Sequence, residues 1–145
     1  PALSGGARRL MTMFETMTPI QAAALWSGLL LLLMLLLSVQ VVLNRRKHRV
    51  LLGDGGASQI TLPGRIFGNA AEYVPVGVGA LALLAMLGMP AMAVHAVGGL
   101  LLAGRLIHAV GLSDRKPTFG RVLGMALTYI ALFTAGGMLV VHAFV

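Results

Sequence analysis

The chain has 145 residues, 58% of them hydrophobic and only 10% charged, with a mean hydropathy of +0.91. Soluble domains are about a quarter charged and under half apolar, so lipid rather than water must solvate most of this surface. Cysteine is absent, which excludes disulfides, thiolate metal ligands and a cysteine nucleophile. The net charge of +7 is gathered where a membrane topology needs it, which argues against a nucleic-acid footprint.

Residues 1–16 differ from the rest and read as an amino-terminal extension or expression remnant, with Met11, Met13 and Met17 each a candidate start. Residues 17–145 read as one membrane domain of four apolar stretches, at about 18–43, 65–87, 90–112 and 119–145. Each exceeds 20 residues, which at ~1.5 Å per residue crosses a ~30 Å hydrocarbon core. None alternates with period two, so the expected fold is an all-α, antiparallel four-helix membrane bundle rather than a barrel. The first stretch ends at Asn44 and a basic run, and Gly53-Asp54-Gly55-Gly56 reads as a turn or loop. Pro63 is placed just before the second helix and Pro90 at the first turn of the third. The short Gly88-Met89-Pro90 link requires the second and third helices to form a hairpin. Gly64/Gly68, Gly99/Ala103 and Gly120/Gly124 have the spacing that lets membrane helices approach closely.

Charge sets the orientation. Segment 44–64 carries Arg45, Arg46, Lys47 and Arg49, and the link before the fourth helix carries Arg115 and Lys116. The positive-inside rule then places the basic segments 44–64 and 113–118 in the cytoplasm and both termini outside.

Charges inside a span cost roughly 2.5–3.5 kcal/mol each and need a reason. Glu72 lies seven residues beyond Arg65, ~10 Å below the basic surface, and Arg105 lies at a similar depth on the antiparallel neighbour. A Glu72–Arg105 pair is therefore expected. Arg65, Asn69 and Glu72 share one helix face, as do Arg105 and His108. Arg65 and Arg121 are placed in first helical turns, where a second cation adds to the positive end of the helix dipole. Such a cluster suits either snorkelling to lipid phosphate or an anionic ligand, or it could merely lock the bundle. His95, His142, Trp26 and Tyr129 read as packing or interface residues, and no His/Asp/Glu set has metal-ligand spacing.

The segment Arg65-Ile-Phe-Gly-Asn69-Ala-Ala-Glu72-Tyr73-Val-Pro75 resembles the R-x-x-x-N-x-x-E-x-x-P element of the MAPEG family, the membrane-associated proteins in eicosanoid and glutathione metabolism. Gly104-Arg105-Leu-Ile-His108 is similar to that family's third-helix G-R-x-x-H element, and the match runs in order over residues 17–145. The resemblance implies a homotrimer with glutathione held between subunits near the cytoplasmic face. It implies that Arg65, Asn69, Glu72 and Tyr73 bind the tripeptide, with Glu72 meeting the α-amino group and Arg65 a carboxylate. Arg105 and His108 would support the site, Arg45 or Arg46 would reach the ligand, and Arg121 would stabilise the thiolate. The implied activity is a glutathione transferase or peroxidase acting on lipophilic electrophiles or lipid hydroperoxides dissolved in the bilayer. Several family enzymes carry a tyrosine where this chain has Leu112, which leaves open a protein that binds glutathione, another thiol or another anion without turnover. A small transporter using Glu72 as its coupling carboxylate is the remaining alternative.

Overall fold

A computed structural model describes residues 5–53, 58–112 and 118–145. The element order is α1 (Gly5–Thr16), α2 (Pro19–His48), α3 (Ser58–Met86), α4 (Ala91–Gly111) and α5 (Phe119–His142). Among the described residues, α2 to α5 are the helices long and apolar enough to cross a membrane. Asp54, Gly55 and Gly56 of the expected glycine loop, and Arg115 and Lys116 of the second basic link, lie outside the described residues.

Local chemistry explains the helix ends. Thr18 caps α2 reciprocally: its hydroxyl accepts from the Gln21 N–H at 3.2 Å, and its own N–H donates to Gln21 Oε1 at 2.9 Å. α2 does not stop at Asn44 as the sequence suggested. It continues through Arg45, Arg46, Lys47 and His48, because cations suit the negative end of a helix dipole. Arg49 then closes it in the left-handed conformation (φ 55°), with Val50 N–H on Arg45 O. Likewise α3 begins at Ser58, ahead of the expected 65, so Pro63 lies inside the helix and Arg65 stands two turns in. Arg65 is therefore clear of the dipole's positive end; only Arg121, in the first turn of α5, keeps the position expected for both.

The α3–α4 hairpin forms as expected. Gly88 (φ 71°) is the left-handed residue that ends α3, with Gly88 N–H on Ala85 O and Met89 N–H on Leu84 O. α3 and α4 each touch both α2 and α5, so they form the centre of the bundle. The core is built from Leu30, Leu33 and Leu37 of α2, Val74, Leu81 and Leu84 of α3, Val94, Val97 and Leu101 of α4, and Ala131 and Ala135 of α5. The opposite face of α2, with Leu31, Leu32, Leu35 and Leu36, is left exposed, as a lipid-facing surface would be.

Glycines decide how closely α4 and α5 meet. A Cβ on Gly124 would lie 2.5 Å from the His108 nitrogen, and one on Gly104 2.9 Å from the Gly124 oxygen. Gly120 and Gly111 are matched in the same way one turn further on. Of the small-residue pairs in the sequence, Gly120/Gly124 thus packs inside the chain, whereas a Cβ on Gly64 or Gly68 meets nothing within 4 Å. At the other end of the bundle the Trp26 indole lies against Gly98 and donates from Nε1 to His95 Nδ1 at 2.9 Å. Trp26 and His95 are packing residues, as the sequence indicated, and they pack on each other.

Candidate functional site

The polar residues collect at the basic end of the bundle, where α3 and α5 begin and α4 ends. Arg105, on α4, is the anchor. It is 1% exposed, yet among the described residues no carboxylate is its partner. Its Nη1 donates to Asn69 Oδ1 at 2.8 Å, Nε to Thr128 Oγ1 at 3.0 Å, and Nη2 to Met125 Sδ at 3.3 Å. Its guanidinium also lies 5.2 Å from the centroid of the Tyr73 ring. Thr128 completes the network by donating to Gly124 O at 2.8 Å, so one hydroxyl accepts from the arginine and satisfies a carbonyl of its own helix.

The expected Glu72–Arg105 pair is not formed, and the reason is azimuth. The buried seam of α3 runs through Ile66, Ala70, Val74 and Leu81. At ~100° per residue, Asn69 and Tyr73 flank that seam, while Arg65 and Glu72 stand about half a turn away from it. Both are exposed in the single chain. Counting residues placed Glu72 at a sensible depth, but on the face that looks out of the bundle.

That outward face is one wall of a cleft. Arg65, Gly68, Asn69 and Glu72 of α3, His108 and Leu112 from α4, and Arg121 of α5 line a polar cavity of about 380 Å³. Five of the sequence's candidates therefore converge: Arg65, Asn69, Glu72, His108 and Arg121. Because the guanidinium of Arg105 is donor-only, it claims the Asn69 oxygen and leaves the Asn69 NH2 as the free donor. Arg121 is positioned by Thr118, whose hydroxyl accepts from the Arg121 N–H at 3.2 Å and donates in a short bond to Gly111 O. The end of α4 is thereby tied to the start of α5.

The other candidates take different places. Arg105 and Tyr73 stand behind the cavity rather than in it. Arg45 does not line it and donates from Nη1 to Leu51 O at 3.2 Å. Leu112 gives the wall an apolar patch. The sequence reading missed Thr128 and Met125. Neither is marked in the sequence: Thr128 is a lone hydroxyl and Met125 one methionine of an apolar helix.

Arg121 has a second role in the geometry. It also borders an apolar groove of about 490 Å³ along α5, lined with Val122, Met125, Ala126 and Tyr129. Arg121 thus borders both a polar cavity suited to a charged, water-soluble ligand and a groove suited to a lipophilic one. A further apolar groove of about 520 Å³, around Phe133, Gly137 and Val141, lies toward the other end and carries none of these groups.

The chain is 40% identical over 110 residues to the inner membrane protein YecN of Escherichia coli, in two strains, covering 76% of this chain and 83% of that protein. No solved structure gives a significant match. Residues 23–141 match the profile of the MAPEG family, a span that takes in nearly all of the four apolar helices and every residue of the polar cavity, and the chain belongs to that family.

Proposed function

We propose that this protein is a glutathione-dependent enzyme of the inner membrane, of transferase or peroxidase type, acting as a homotrimer on lipophilic electrophiles or lipid hydroperoxides. The observation that carries the reading is the convergence of Arg65, Asn69, Glu72, His108 and Arg121 on one polar cavity that shares Arg121 with an apolar groove. Glutathione offers two carboxylates, an ammonium and a thiol. Arg65 matches a carboxylate, Glu72 the ammonium, the Asn69 NH2 a peptide carbonyl, and Arg121 the thiolate. The groove would hold the second substrate, delivered from the bilayer. In this reading the basic end is cytoplasmic and both termini lie outside, following the positive-inside rule.

The trimer is what the family resemblance implies, and the outward face of α3 supports a contact between copies. Glu72 and Arg65 look out of the bundle from within or beside the membrane, next to Gly64 and Gly68, which have open space above them. A carboxylate facing lipid is strongly unfavourable, and a second copy packed on this face removes it from lipid. Glu72→Gln is expected to weaken glutathione binding and to lower the trimeric fraction, read by native mass spectrometry from mild detergent. An unchanged trimer with unchanged binding would leave Glu72 without the role given to it.

The direct test is thermal stability of the purified protein with and without millimolar glutathione, beside Arg65→Ala. Ligand at 100 times its Kd adds about 2.7 kcal/mol of apparent stability. The expected result is a clear upward shift in the native chain that is lost in the variant; no shift in the native chain would sink the glutathione reading. Leu112 supports one alternative, in which glutathione binds without turnover because a hydroxyl donor to the ligand is replaced by an alkyl group. Stabilisation by glutathione with no conjugation of any electrophile would select that alternative.

A further inference from the structure

Tyr129 and Tyr73 have a relation that packing does not require. Their hydroxyl oxygens lie 3.3 Å apart and their rings meet edge to face at 5.9 Å. Two phenols hold two dissociable protons, and one hydrogen bond between them uses one. The second proton has no acceptor within the pair. Phenylalanine would fill either position as well as tyrosine does, so the hydroxyls need another explanation.

Position supplies it. Tyr129 is 54% exposed, and its exposed part forms one wall of the apolar groove that begins at Arg121. Tyr129 lies two turns beyond Arg121 on the same face of α5, and helical side chains lean toward the amino terminus, which carries its hydroxyl toward Arg121. Among the described residues lining that groove, Tyr129 holds the only side-chain proton that a neutral group can give up; Arg121 is a fixed cation. Tyr73 connects Tyr129 to the interior, because its own ring lies over the buried Arg105 guanidinium. Negative charge left on the pair when a proton departs therefore forms beside a fixed cation.

We propose that Tyr129 is the general acid that protonates the oxygen leaving group of a substrate held in this groove, with Tyr73 sharing the charge. The proposal rests on the transferase reading above and narrows its substrates to compounds that generate an alkoxide, namely epoxides and organic hydroperoxides. With an epoxide, the glutathione sulfur forms a C–S bond, the C–O bond breaks, and the alkoxide takes the Tyr129 proton. With a hydroperoxide, the sulfur attacks the terminal oxygen and the O–O bond breaks. Sulfur is oxidised to a sulfenic acid, the peroxide is reduced, and the alkoxide again takes the Tyr129 proton. A second glutathione converts the sulfenic acid to disulfide and water. In each cycle the proton lost when the next thiol ionises restores the phenol.

An aryl chloride separates this role from packing, since chloride leaves as a stable anion and needs no proton. The native protein and Tyr129→Phe, in proteoliposomes, would be assayed with glutathione and three substrates: an alkyl epoxide, cumene hydroperoxide and chlorodinitrobenzene. General acids contribute about 10²–10⁴-fold. The expected result is a loss of roughly 100-fold with the epoxide and the hydroperoxide, at least about tenfold greater than any loss with the aryl chloride. Glutathione-induced stabilisation should be unchanged, because Tyr129 does not line the polar cavity. Equal losses on all three substrates, or none on any, would overturn the proposal while leaving the transferase reading in place. A native protein inert toward all three would remove the transferase reading and the proposal with it.

Discussion

Gly124→Ala is expected to be among the most damaging single methyls that can be added to the described part of this chain. Its Cβ would sit 2.5 Å from the His108 nitrogen and 2.7 Å from the Gly104 oxygen, both main-chain atoms. A side chain can swing aside, but two helix backbones can separate only by moving as units. Separation would stretch everything that crosses the α4–α5 seam, including the Arg105–Thr128 bond and the tie from Thr118 to Gly111. Overpacking of this kind costs about 1–3 kcal/mol, or roughly 2–12 °C in melting temperature for a chain of this size. Gly136→Ala is the matched control. It lies on the same helix, its added methyl meets nothing within 4 Å, and alanine's better helix propensity favours it by several tenths of a kcal/mol. Thermal unfolding of the two variants in one detergent checks the contrast. Similar melting temperatures would mean that the seam is looser than its glycines suggest.

This seam shows what kind of information the sequence carries. The four apolar spans and the α3–α4 hairpin were legible because hydropathy and glycine placement are one-dimensional signals. Part of the cavity's membership was legible too: Arg65, Asn69, Glu72, His108 and Arg121 are candidates from the sequence, although Arg45, Tyr73 and Arg105 are as well and do not line it. Their pairing was not. Depth can be counted along a helix, but direction depends on which stripe the neighbours cover. The buried seam through Ala70 and Val74 faces Asn69 and Tyr73 toward Arg105 and turns Glu72 outward. Helix ends misled for a related reason. Cations at 45–49 look like a loop by hydropathy but are favourable at a helix carboxyl end, so α2 runs on. Thr128 was invisible as a site residue because a lone hydroxyl in an apolar helix acquires meaning only when a buried guanidinium arrives beside it.

The second large effect is expected from Arg121→Ala. A free thiol with a pKa near 8.5 is only about 3% ionised at pH 7, so a thiolate enzyme must supply positive potential at the sulfur. Arg121 has three properties that fit it to do so. It stands in the first turn of α5, where the helix dipole adds to its charge. Thr118 holds its backbone in place. It also borders both the polar cavity and the apolar groove, so an anion beside it would face the second substrate. Removing one preorganised donor to a reacting anion typically costs about 10²–10³-fold in kcat. Arg121→Ala should lose that much turnover with chlorodinitrobenzene while glutathione-induced stabilisation falls only modestly, because Arg65, Asn69 and Glu72 still hold the tripeptide. The pH profile gives an independent check. If Arg121 lowers the thiol pKa, the native rate is already near its plateau at pH 7. The variant's rate should then keep rising about tenfold per unit up to roughly pH 8.5, where an unassisted thiol ionises. Arg121→Lys, which keeps a charge but loses the planar fork, should fall between the two. Parallel pH profiles for native protein and Arg121→Ala would show that the thiolate is stabilised elsewhere. Arg105 would be the next candidate, as the one buried cation behind the same wall among the described residues.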